Sequence, residues 1–191
     1  MSLVELVVLF AVVAIIATVT VPALGDAHRA AALAGAAGRV RGLMFRCRAV
    51  AVMEQRSTGL VFERRPDGAW RCLIAADGDG ILRRDIERGI DPVISEILEF
   101  APREAGLGIL EGEFVPDPSG RGRLRGDHAD PVRAGRGDII SFTPDGHVTP
   151  SSVYFSDRRT RMRVLRTYGA SGRVISLYWR SGWSEWRTGA F

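Results

Sequence analysis

Glu5 is the one charged side chain among the first 24 residues, and it borders a run, LVVLFAVVAIIATVTVPAL, that carries no charge from Leu6 to Leu24. A carboxylate at the edge of such a run costs a few kcal/mol in lipid unless a cation or the interface meets it. Its chemistry is therefore either solvation among headgroups, favoured further by a helix N-terminus, or pairing with a cation. The two cysteines, Cys47 and Cys72, cannot build a zinc cage but can form one bridge. Asp77, Asp79 and Asp85 resemble a calcium loop in composition only. Counted from Gly80, the first and twelfth loop positions hold Ala75 and Ile86, where calcium needs carboxylates. Exposed turns are the expectation there, and no metal or other cofactor is expected anywhere. Near the end of the chain, Tyr178, Trp179, Arg180, Trp183, Trp186 and Arg187 interleave aromatic and cationic groups. Bases stack on rings and guanidinium neutralises phosphate, so this is also the chemistry of single-strand binding. The same tryptophans could instead cover a sheet edge or a subunit interface. Arg158-Arg159-Thr160-Arg161 reads as a solvated turn. Ser141, Asp145 and His147 lie close in sequence, yet a turn alone supplies no nucleophile, base and orienting group in line. No enzymatic activity is expected.

The elements that must carry these residues read as follows. The charge-free run is 19 residues long, and as a helix it spans about 28 Å, close to the bilayer core. The helix is expected to continue through residues 26–56, where Leu33, Ala36, Ala37, Val40, Leu43, Met44, Cys47 and Ala51 follow the spacing of one buried stripe. Pro22 and Gly25 are expected to kink or loosen it, and Ser57-Thr58-Gly59 to end it. Residues 57–191 read as a β-rich domain. Leu60–Glu63 and Trp70–Ile74 flank the turn Arg65-Pro66-Asp67-Gly68 as a hairpin, and Ile94–Phe100 is a further candidate strand. Residues 111–138 are rich in Gly, Pro, Asp and Arg and read as a long exposed loop. Strands resume at Ile139–Phe142, Val153–Phe155, Met162–Arg166 and Val174–Trp179. The expected fold is α+β, a long N-terminal helix on an antiparallel sheet. Cys47 falls on the helix stripe and Cys72 on the strand face of Trp70 and Ile74. If that face covers the helix, a bridge closing about 25 residues would contribute roughly 3 kcal/mol; the alternative is two thiols acting as small core hydrophobes.

Composition sets the outer bounds. The chain has 191 residues, 46% of them hydrophobic and 25% charged, which suits one domain with an appendage and disfavours wholesale disorder. All 26 basic residues are Arg, and the net charge is +4, too mild to demonstrate an anionic partner. A cleaved secretory signal would show a basic leader and a shorter apolar stretch, and neither is present. Arg29, Arg39 and Arg41 follow the run, a placement that the positive-inside tendency assigns to the cytoplasm. Either the domain translocates regardless, or a basic leader once preceded Met1; the second reading is favoured.

Met1-Ser2-Leu3-Val4-Glu5-Leu6, the apolar run and Pro22 together resemble the N-terminus of mature type IV pilins and pseudopilins. Asp138–Gly146, Val153-Tyr154-Phe155 and Gly169–Val174 resemble the C-terminal half of the GspH/FimT branch, and Asp77–Gly80, Asp85-Ile86 and Gly89–Pro92 resemble a stretch common in its environmental members. The resemblance covers nearly the whole chain, least well residues 101–130. It implies a pilin-like fold and a structural subunit of a type IV pilus or type II secretion pseudopilus. It also implies that a prepilin peptidase processes the chain and N-methylates the new terminus, here Met1 in place of the usual Phe. Glu5 would pair with the terminal amine of a neighbouring subunit, each group offsetting the other's cost in lipid. Partners would be copies of this chain or other pilins. The chain would sit in the bacterial inner membrane before assembly, then in a periplasmic or extracellular filament. DNA-binding members of the FimT type carry Gly-Arg-x-Arg near this position. Here Gly172-Arg173-Val174-Ile175 keeps only the first Arg, so DNA uptake through Arg173, Trp179, Arg180, Trp183, Trp186 and Arg187 is the secondary expectation.

Overall fold

A computed structural model describes residues 2–77, 81, 83–94, 98–101, 104–120, 122–124, 130–135 and 137–188. Its first element, α1 (Leu3–Met53), is a single helix of 51 residues. Ser2 caps it. The Ser2 hydroxyl accepts the Glu5 peptide N–H, and the Glu5 carboxylate accepts the Ser2 N–H at 2.8 Å, a reciprocal capping box. Pro22 lies inside the helix without ending it, although it cannot donate to the carbonyl one turn earlier. The helix closes with the Glu54 N–H on the Val50 carbonyl at 2.9 Å, and Gln55, at φ 50°, turns the chain away.

The helix therefore stops before Ser57-Thr58-Gly59, the expected terminus, and these residues open a strand instead. Strand β1 (Ser57–Arg64) pairs antiparallel with β2 (Trp70–Asp77), Leu60 opposite Ile74 and Phe62 opposite Cys72. Gly59 belongs in this strand for a steric reason: a Cβ there would meet Ile81 at 2.9 Å and Ile139 at 3.1 Å. A short helix, α2 (Arg83–Glu87), follows, with no buried residue to mark it in the sequence. Of the third candidate strand, Leu98–Phe100 forms β3 on β2 and residues 95–97 lie outside the described ones; before it, Val93 bridges to Ala75.

Two antiparallel sheets result. The first has the order β3-β2-β1-β8, with β8 at Ile139–Phe142. The second has β4 (Gly106–Leu107), β9 (Ser151–Ser156), β10 (Arg161–Tyr168), β11 (Arg173–Arg180) and β12 (Arg187–Thr188) in the order β12-β11-β10-β9-β4. Strand β7 (Val132–Arg133) also pairs with β9, while β5 (Val115–Pro116) and β6 (Arg123–Leu124) form a separate hairpin. The chain is thus α+β, a long N-terminal helix followed by antiparallel sheets.

Segment 111–138 corrects the expectation of an exposed loop. Val115, Leu124, Val132 and Ala134 are buried, and short strands carry three of them. Its Gly and Pro content hid apolar residues too widely spaced to show a strand period.

The helix stripe forms the main core. Leu33, Ala36, Ala37, Val40, Met44, Cys47 and Ala51 are buried against Leu60, Phe62, Trp70, Cys72, Ile74, Phe142, Val153, Phe155 and Leu165. Burying a large side chain such as Leu33 or Met44 contributes about 1.5–3 kcal/mol, while the alanines let the helix approach the sheets closely. Both sheets are covered on their other faces too. Val61, Leu73, Ala75, Ile81 and Ile139 pack behind the first. Behind the second, Trp179, Tyr154, Met162 and Val164 pack with Val115, Leu124, Ile109 and Leu110.

Candidate functional site: the apolar half of the helix and its seat on the head

As far as Leu24, every described side chain of α1 is exposed. From Leu3 (81% exposed) to Leu24 (64% exposed) its large apolar side chains face outward, and the helix is long and apolar enough to cross a membrane. Soluble monomers rarely leave a contiguous apolar surface of this extent uncovered. The stretch is a candidate membrane span or signal sequence and is compatible with membrane association. Glu5 sits near its free end, engaged by Ser2 in the capping box. Sequence reasoning missed that role, although Ser2-Leu3-Val4-Glu5 spells the capping-box spacing. Met1, the expected modified terminus, lies outside the described residues.

The head begins where the exposed run ends. Arg161, at the start of β10, donates to the Asp26 carboxylate and, at 2.9 Å, to the Asp26 carbonyl. Arg29 reaches the same carboxylate at 3.4 Å. Loss of solvent pushes the Asp26 carboxyl up, but the hydrogen bonds and charges of Arg161 and Arg29 outweigh it and hold the group below its ordinary value. Further along α1, the Arg48 guanidinium donates to the Gly172 carbonyl at 3.1 Å, and Thr58 donates to the Cys47 carbonyl at 2.8 Å. Gly172 turns β10 into β11 at φ 59°, where a Cβ would meet the Gly146 carbonyl oxygen at 2.7 Å. Two arginines therefore tie opposite ends of the β10–β11 hairpin to positions 26 and 48 of one helix.

Cys47 and Cys72 share the main core, as the face argument expects, yet they are free thiols and no bridge joins them. The larger side chains around them (Phe62, Trp70, Ile74 and Met44) fill the same core, and the cysteines behave as small hydrophobes. Burial pushes the Cys47 thiol up to about 12 and the Cys72 thiol higher still.

The C-terminal aromatics turn mostly inward. Trp179 is 1% exposed and donates its indole N–H to the Trp183 carbonyl at 2.8 Å. Trp186 donates to the Pro116 carbonyl at 2.7 Å and lies near Tyr154 and Trp179. Tyr178 meets Trp183 edge to face, and the Arg187 guanidinium stacks over Trp183 at 4.1 Å. Arg173 and Arg180 occupy opposite ends of β11, about 23 Å apart. The structure therefore does not gather the six candidate DNA contacts into one patch.

The remaining candidates stay dispersed. Asp77 ends β2, Asp85 lies in α2, and Asp79 lies outside the described residues. Among the described residues no group of three or more His, Cys, Asp or Glu could hold a metal ion. Asp145 holds the His147 ring at 2.7 Å and bonds Thr143, but Ser141 is not part of that cluster.

No protein-family model, curated protein or solved structure matches the chain.

Proposed function

We propose that the chain is a structural subunit of a type IV pilus-like or type II secretion filament, assembled through the apolar half of α1. The observation that carries this is the division of one continuous helix. Its second half is stapled into a folded head, and its first half projects with every described large apolar side chain uncovered. Such a projection is stable in lipid before assembly, and among identical or similar helices afterwards. Glu5, Pro22 and the motifs of the second half support the pilin-like reading through their resemblance to the GspH/FimT branch. Prepilin peptidase is the processing partner this reading implies. The chain's work is packing, with no chemical turnover of its own.

Glu5 provides the test. In the single chain its carboxylate caps α1; in a filament it would exchange that bond for a cationic terminus on a neighbour, a pairing favoured in low dielectric. Glu5→Ala should still enter the membrane but fail to reach filaments sheared from cells, whereas Glu5→Gln, which retains a capping side chain, should fail equally. Normal incorporation of Glu5→Ala overturns the pairing. Failure of Glu5→Ala with rescue by Glu5→Gln reduces Glu5 to a cap.

A further inference from the structure

We propose that the cleft between α1 and the outer edge of the β10–β11 hairpin seats the phosphate headgroup of an anionic phospholipid at the membrane surface. The inference rests on reading residues 6–24 as a membrane span.

Position comes first. Leu24 ends the charge-free run, and Ala30, on the helix wall of the cleft, lies about 9 Å further along the axis. The headgroup layer extends about 5–8 Å beyond the hydrocarbon core. The cleft's helix wall lies at and beyond its outer boundary, while the Arg161 end, bonded to Asp26 about 3 Å past Leu24, lies inside the layer. The Arg161–Asp26 contact fixes the same end of the head at that level. Arg180 lies directly across the sheet from Arg161, and the Ser181 N–H bonds the Thr160 carbonyl at 2.7 Å, so the two membrane-facing turns lie side by side.

Chemistry comes second. The cleft has a volume of about 230 Å³; beside apolar residues of the helix and strands it is lined by Arg161, Arg163 and Arg180 with Tyr178 and Trp183, and no acidic side chain among the described residues lines it. Alternation along a strand puts Arg161 with Arg163, and Tyr178 with Arg180, on the face turned to the helix. Arg161 is committed to Asp26. Arg180 is exposed and has no acidic partner among the described residues. Guanidinium suits phosphate because its donors are planar and forked. Indole and phenol rings favour the interface, where one end of the ring is apolar and the other wet. Glu113, which accepts from Ser181 at 2.9 Å, is not among the lining residues. The occupant that fits both the height and the charge is a lipid phosphate, which would hold the head upright on the membrane until the helix is withdrawn.

The test uses the full chain in micelles doped with equal phosphatidylglycerol and phosphatidylcholine, with lipids retained by the protein counted by native mass spectrometry. Flotation on vesicles of the same lipids reports insertion separately. Phosphatidylglycerol should be retained about tenfold over phosphatidylcholine. The preference should fall to near parity in Arg180→Gln and in the double variant with Arg163→Gln, while Arg173→Gln at the far end of β11 keeps it. Should the double variant misfold, exposed Arg180→Gln carries the test alone. Equal retention of the two lipids, equal loss in Arg173→Gln, or displacement by millimolar inorganic phosphate overturns the proposal while leaving the span intact. Failure to float overturns the span reading and this proposal together.

Discussion

Two thiols in one core make the sharpest case at the scale of single residues. Cys47 and Cys72 face each other's element, yet each is held as an apolar group whose thiolate is suppressed by burial. Native protein should therefore resist alkylation, and unfolding it without reductant should release both thiols for modification. If unfolded protein is alkylated only after reduction, a bridge exists and the core must tighten around it. Asp138 poses a question of pH. It is half-buried at φ 57°, and loss of solvent, together with the charge and hydrogen bond of Asp130, pushes its carboxyl up to about 6 against the pull of Arg83. The folded chain thus holds this proton more tightly than the unfolded chain, whose value lies near 3.8. The contribution is stabilising in acid and is lost as pH rises from about 4 to about 6. Urea titrations across that window should show a decline that Asp130→Asn flattens. Parallel profiles for the two proteins would contradict the pairing.

Among the elements, the C-terminal aromatics and the β5–β6 hairpin form one packing unit. Trp186 bonds the Pro116 carbonyl, and Val115 and Leu124 pack with Trp179. Trp179→Ala should cost about 3–5 kcal/mol and Leu124→Ala about 2–5 kcal/mol. Arg180→Ala with Arg187→Ala should change denaturant stability little, because both side chains are exposed. Stability unchanged by Leu124→Ala would return this segment to the exposed loop that its composition suggests. The contrast shows what was legible in the sequence and why. The stripe from Leu33 to Ala51 could be read directly because helical burial repeats every three to four residues over many turns. The β1–β2 hairpin was legible from its turn and its flanking apolar runs. Strands of two residues, such as β5 and β6, have no period to read. The Arg161–Asp26 and Arg48–Gly172 contacts join residues more than a hundred positions apart, which nothing local encodes. The capping box is legible in the Ser2–Glu5 spacing, because both of its partners lie within one helical turn.

The whole molecule is a head mounted along one half of a helix. From Asp26 to Arg48 the helix rises about 33 Å, and the β10–β11 hairpin is pinned to it at both ends of that interval. The remaining half projects, and its apolar surface is the largest uncovered feature among the described residues. On the proposed reading this surface is covered by lipid first and by neighbouring subunits later. A photo-crosslinking side chain at Val12 or Ile16, both exposed in the middle of the run, tests that exchange most directly when activated in cells that export and assemble the chain. Covalent adducts are expected with a second copy of this chain, or with another subunit bearing a charge-free N-terminal helix, and they should be lost in Glu5→Ala. Adducts with lipid alone, in cells whose filaments are fully assembled, would contradict the proposed reading.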